Sequence, residues 1–212
     1  MEVKIWSDVR CPFCYIGKRK FEAALAEFTH KDDVTITWKS FELDPNLQTV
    51  EDTNIYDYFS KAKGIPQVQA VEMFDNVTAI AAEVGLDFKL EQSVVANSFK
   101  AHRLIQLAKT KNLGNEIEEE LFKIHFTAGK NIDDEAVLLD TGMNIGLAED
   151  DVKALFESDD FEAEVRIDQL EAQRIGIRGV PFFVFDDKYA VSGAQAPEVF
   201  LQTLEKTWES KV

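Results

Sequence analysis

Apolar and polar residues alternate at the start of the chain, where Val3 and Ile5 flank Lys4, so residues 3–6 read as a short strand. Residues 7–10 read as a connecting loop, and from Ile16 to Phe28 apolar residues recur at helical spacing. Alternation returns at 34–41, and Asp44-Pro45 ends it. A strand, helix and strand in that order normally close a right-handed crossover with the strands parallel. Residues 54–175 carry no strand signal. They predict successive helices broken at Gly64-Ile65-Pro66, Gly85, Asn112-Leu113-Gly114, Gly129 and Gly146. Val68, Val71, Val77, Ile80, Ala81 and Val84 mark one apolar helix face, and Ile117, Leu121 and Ile124 another. Residues 116–120 are acidic at four of five positions and read as a solvated face early in a helix, where negative charge suits the dipole.

Strand character resumes at 180–185 and at 189–192, joined by the turn Asp186-Asp187-Lys188, which predicts a hairpin. Gly193 breaks it. Pro197 suits the first turn of a last helix running through Phe200, Leu201 and Leu204 to about Trp208. The order is β-α-β, then helices, then β-β-α. This α/β arrangement predicts one domain from residues 1–53 and 176–212, with an all-helical domain of residues 54–175 inserted into it.

Cys11 and Cys14 are the only cysteines, and they stand where the first strand gives way to the first helix. Unpaired N–H groups and the positive end of the helix dipole favour a thiolate at that point. Pro12 fits the first helical turn, where its missing N–H has no partner to lose. Cys11 is the candidate attacking sulfur. Cys14, one turn further in, faces it and is the candidate for resolving a mixed disulfide. Arg10, Lys18, Arg19 and Lys20 add positive charge around the pair, and Asp8 acts in the opposite direction. A structural zinc needs four ligands. With no third cysteine, and with His30, His102 and His125 at no ligand spacing, a metal site is not expected.

A net charge of −16 argues against binding nucleic acid or an anionic membrane. The first residues show no basic leader or apolar core of a signal peptide, and no run has membrane-spanning length, so a cytoplasmic protein is expected. Thiols there stay mostly reduced, so a cysteine pair is expected to be catalytic rather than a staple.

The stretches Ser7-Asp8-Val9-Arg10-Cys11-Pro12-Phe13-Cys14-Tyr15-Ile16-Gly17 and Gly179-Val180-Pro181-Phe182-Phe183-Val184 together resemble the DsbA family, whose thioredoxin fold carries a helical insertion. The nearer resemblance is to its FrnE-like cytosolic branch of dithiol–disulfide isomerases. Asn97-Ser98-Phe99-Lys100-Ala101-His102-Arg103-Leu104 and Val191-Ser192-Gly193-Ala194-Gln195-Ala196-Pro197 resemble that branch as well. The resemblance implies thiol–disulfide exchange through Cys11 and Cys14, with no cofactor beyond the disulfide they form and with glutathione as an allowed small co-substrate. It implies a cis bond before Pro181, set beside the cysteines, with the Val180 backbone pairing to an extended substrate. Pro12, Phe13, Val180 and Pro181 would then form an apolar surface for protein or low-molecular-weight thiol and disulfide substrates.

His102 is a candidate proton relay for Cys14, set against the plain reading of a structural histidine. Trp6, Tyr15 and Trp38 read as core residues. Phe13 stands where strongly oxidising relatives carry histidine. Two other readings stay open: a noncatalytic thioredoxin-fold adaptor with a redox switch, and an enzyme like kappa-class glutathione transferases or hydroxychromene carboxylate isomerases. The latter usually lack the second cysteine.

Overall fold

A computed structural model describes residues 1–51 and 53–210 of the chain. Strand β1 (Glu2–Ser7) leads into helix α1 (Pro12–Glu27) and back to strand β2 (Thr35–Ser40). Six helices follow: α2 (Ile55–Lys63), α3 (Gln67–Glu83), α4 (Phe99–Thr110), α5 (Gly114–Phe126), α6 (Glu135–Asn144) and α7 (Glu149–Phe156). Helix α8 (Glu162–Arg174), strands β3 (Phe182–Phe185) and β4 (Tyr189–Ser192), and helix α9 (Pro197–Glu209) complete the chain. The residues group into two compact units, 1–43 with 163–212 and 44–162.

The first unit holds a sheet of order β2-β1-β3-β4. β1 runs parallel to β2 and antiparallel to β3, and β3 is antiparallel to β4. The two faces of β3 are divided by the strand period of two. Phe183 and Phe185 meet Phe21 of α1, and Phe200 of α9 packs on Phe21 and Phe183, with ring centroids 4.7–6.2 Å apart in these pairs. Val184 turns the other way, into a cluster with Trp6, Ala172 and Ile177 against which Phe41, Val180 and Phe182 pack.

That second cluster explains why the units divide at 43/44 and 162/163, whereas the sequence reading placed the boundaries at 53/54 and 175/176. Helix α8 carries no strand signal and so reads as part of the inserted helices, but it covers a face of the sheet. Asp168 fastens it there. Its carboxylate accepts from Lys39 Nζ at 2.8 Å and Ser40 N at 3.0 Å, and its carbonyl accepts from the Trp6 indole N–H at 3.0 Å. Glu171 adds an ion pair to Lys39 at 2.9 Å.

In the second unit α4 is enclosed on every side, with residues 101–108 all buried, and packs against α5, α6 and α7. Arg103 caps the chain end that leaves α7, donating to the carbonyls of Leu155, Ser158 and Asp160 at 2.5–2.9 Å. Two readings of helix faces need correction. Val68 is 64% exposed, because α3 buries Ala70 and Ala81 and Val68 lies across the helix from them. Glu118 is buried rather than solvated, since Glu118, Phe122 and His125 share the inward face of α5 at i, i+4 and i+7.

Candidate active site

β1 ends at Ser7, and the loop that follows is built around Asp8. The Asp8 carboxylate accepts from Arg10 N at 3.1 Å, an Asx-type turn, and from Leu43 N at 2.8 Å beyond β2. Its carbonyl accepts from Cys11 N at 2.9 Å. Cys11 is therefore delivered as the N-cap of α1, in extended conformation, with Pro12 in the first turn. The helix begins four residues ahead of the apolar periodicity, because the first turn is specified by Pro12 and the dipole end rather than by burial. Cys14 N donates to the Cys11 carbonyl at 2.9 Å, so the two residues share that turn.

Both cysteines are free thiols. Cys11 retains 6% of its surface and Cys14 only 1%. Burial pushes the Cys14 thiol well above the usual cysteine range, and the neighbouring Cys11 sulfur pushes it further. The Asp8 backbone N–H and the Ser7 hydroxyl act the opposite way.

The peptide bond between Val180 and Pro181 is cis. Cys11 Sγ donates to the Val180 carbonyl at 3.6 Å, across 169 positions of sequence. Pro181 is buried, Val180 half-buried and Phe13 exposed, so the rim beside the sulfur is apolar. The Pro181 carbonyl accepts from Gly193 N at 2.8 Å, which ties this bend to the end of β4. Among the described residues none bonds the Val180 N–H.

Gly17 is the residue that lets α1 approach this bend. A Cβ there would lie 2.9 Å from Pro181 Cγ and 3.5 Å from Ala194 Cβ. Lys20 Nζ reinforces the contact by donating to the Ala194 carbonyl at 3.2 Å. The positive surround expected of α1 is largely spent on local partners: Lys18 and Arg19 both pair with Glu22, at 2.5 and 2.7 Å.

The chain belongs to the DSBA-like thioredoxin domain family. The family model matches residues 2–205. A probable DsbA oxidoreductase from Streptomyces coelicolor is 37% identical, with a TM-score of 0.92, covering 99% of this chain and 90% of that one. The Bacillus subtilis protein YwbO is 25% identical over 216 residues, spanning 100% of this chain and 99% of its own. The fold is shared with the cytosolic disulfide reductase DsbM from Pseudomonas aeruginosa, solved with GSH, at 18% identity and a TM-score of 0.68 over 99% of this chain and 100% of that one.

Within this DsbA-like site the structure gathers Cys11, Pro12, Phe13, Cys14, Val180 and Pro181 at the end of α1. His102 lies in α4 of the second unit, fully buried, with its backbone N–H on the Ser98 carbonyl at 2.9 Å. Sequence reasoning missed the steric role of Gly17, the anchoring of the loop by Asp8 and the placement of Ser7. Asp8 was legible in principle, because Asp two residues before a backbone N–H is a common turn former. Ser7 and Gly17 left no local signal. Among the described residues no helix is long and apolar enough to cross a membrane, and no cluster of three or more potential metal ligands occurs.

Proposed function

We propose that this protein is a thiol–disulfide oxidoreductase or isomerase of the FrnE-like kind, acting through the Cys11-Pro12-Phe13-Cys14 pair. The supporting observation is the Cys11 sulfur at a helix N-terminus, 3.6 Å from the Val180 carbonyl, with Cys14 buried one turn behind it. Cys11 as thiolate attacks one sulfur of a substrate disulfide, and the other sulfur departs as thiolate. Cys14 then attacks the Cys11 sulfur, closing the intramolecular disulfide and releasing the second substrate thiol. The proton that Cys14 loses ends on the departing thiolate.

The Val180 N–H is oriented by the same bend that carries the carbonyl, and pairing with a substrate backbone there holds a disulfide over Cys11 without reading sequence. Phe13 and Val180 supply apolar contact. In the cytoplasm the pair rests as a dithiol, which favours reduction and isomerisation over net oxidation. The GSH-containing DsbM neighbour makes glutathione the first small thiol to test as recycling partner.

Insulin-disulfide reduction, with glutathione as reductant, tests the reading. Native protein is expected to turn over, Cys11→Ser to show no activity, and Cys14→Ser to accumulate mixed disulfides visible by intact-mass measurement. Native turnover by Cys11→Ser overturns the role assignment. Stoichiometric binding of a partner without turnover favours the adaptor reading instead.

A further inference from the structure

In a chain with 39 acidic and 23 basic residues, an arginine without a carboxylate beside it is the exception. Arg19 pairs with Glu22, Arg166 with Glu42, and Arg103 donates to the carbonyls that end α7. Among the described residues the guanidinium groups of Arg10, Arg174 and Arg178 have no such partner. Arg174 lies in the last turn of α8, where the helix dipole accounts for a cation. The other two flank the reacting sulfur. Arg10 precedes Cys11, and Arg178 stands two peptide units before Val180, a span of at most ~7 Å of chain. The Val180 carbonyl is 3.6 Å from the Cys11 sulfur. Arg178 is exposed, whereas Arg10 is half-buried, with Nη1 shut off from solvent and without an acceptor. A buried donor left in that way is costly and rare in folded proteins. The carboxylates nearest to Arg10 in sequence are engaged elsewhere: Asp8 accepts from Arg10 N and Leu43 N, and Glu22 holds Lys18 and Arg19.

We infer that Arg10 and Arg178 bind substrate carboxylates beside the apolar rim, so that the small disulfides this protein reduces best are anionic. The inference rests on the dithiol-exchange reading above and names a substrate class within it. A guanidinium fork meets a carboxylate in two parallel hydrogen bonds. A disulfide whose carboxylate sits a short chain from its sulfur is therefore held with that sulfur facing Cys11. The Cys11 thiolate attacks it and the other half departs as thiolate; Cys14 then displaces the bound half as the Cys11–Cys14 bond closes. The substrate gains the two electrons that the dithiol loses, and the dithiol's protons end on the two released thiols. A net charge of −16 opposes this preference, because its field repels anions. Distance decides between the two effects. At about 0.15 M salt, charges beyond about 8 Å are largely screened, whereas the two arginines join the chain next to Cys11 and next to its Val180 partner.

Three small disulfides separate these effects by charge: dithiodipropionate is a dianion, hydroxyethyl disulfide is neutral and cystamine is a dication. Reduced native protein is mixed with each at about 0.15 M salt, where only nearby charges act. Samples are quenched by alkylation, and intact mass gives the rate at which the Cys11–Cys14 disulfide forms. Each rate is divided by that of dithiothreitol with the same disulfide, because the leaving thiols differ in acidity. The dianion is expected to react fastest and the dication slowest, about ten-fold or more apart, the worth of one hydrogen bond to a charged group. The native series by itself decides that order. In the double variant Arg10→Gln with Arg178→Gln, the ratio of dianion to neutral rates is expected to fall about ten-fold. Arg10→Lys with Arg178→Lys is expected to recover part of it, since the charge is kept and the fork is lost. An equal or reversed order in the native protein overturns the proposal, the reversed one being what net charge alone produces. So does a double variant in which all three rates fall alike, which is the effect of a cation acting only on the Cys11 thiolate. Failure of the underlying reading looks different: the native protein then forms no Cys11–Cys14 disulfide with any of the three.

Discussion

Gly17 shows how narrow the tolerance of the site is at the level of one residue. Exchanging glycine for alanine inside a helix ordinarily stabilises it by about 1 kcal/mol. Here the new methyl would stand 2.9 Å from Cγ of Pro181, a ring with no flexible end to swing aside. Overpacking of that kind costs about 1–3 kcal/mol, so the steric term outweighs the helical one. Gly17→Ala is therefore expected to lose about 1 kcal/mol of stability in urea unfolding. Its turnover of a model disulfide should fall by more than that loss explains, because the strain is relieved by moving Pro181 and Val180 away from Cys11. Unchanged turnover with unchanged stability contradicts the close contact.

Among elements, α8 depends on one buried carboxylate to lie against the sheet. Asp168 holds Lys39, the Ser40 amide and, through its carbonyl, the Trp6 indole. Removing the carboxylate leaves a buried amide without an acceptor and Lys39 with Glu171 alone, a class of change that costs about 2–4 kcal/mol. Asp168→Ala should lower the urea midpoint accordingly, and amide exchange should show α8 losing protection ahead of α1; equal protection in both helices would contradict that order. Strand and helix periodicity was enough to place β1, α1, β2, the β3–β4 hairpin and α9 within a few residues. It could not assign α8 to its unit, since a helix's period is the same whether it covers a sheet or joins a bundle. Glu118 and Val68 illustrate the same limit: residue type suggested one side of the helix, and packing chose the other.

For the molecule as a whole, the cysteine pair links folding to pH. In the unfolded chain Cys14 ionises near 8.5. In the fold its thiol is held well above that, first by burial and then by the Cys11 sulfur. Above the unfolded value the unfolded chain therefore binds fewer protons than the native one, and stability falls with rising pH. The contribution is complete below about pH 8.5 and is lost as pH climbs through the raised native value, at up to about 1.4 kcal/mol per pH unit. Urea midpoints of the reduced protein between pH 7 and 10 should show this decline, and Cys14→Ser should lack that component. A decline identical in both proteins would show that it does not come from Cys14. Strand alternation, helical period and Pro12 are local signals, and together they suffice to put Cys11 and Cys14 on the first turn of α1. The surroundings of the two sulfurs come instead from long-range packing. The Val180 carbonyl over Cys11 and the Gly17 approach to Pro181 are meetings of groups far apart in sequence, and such contacts impose no period on the chain from which they could be read.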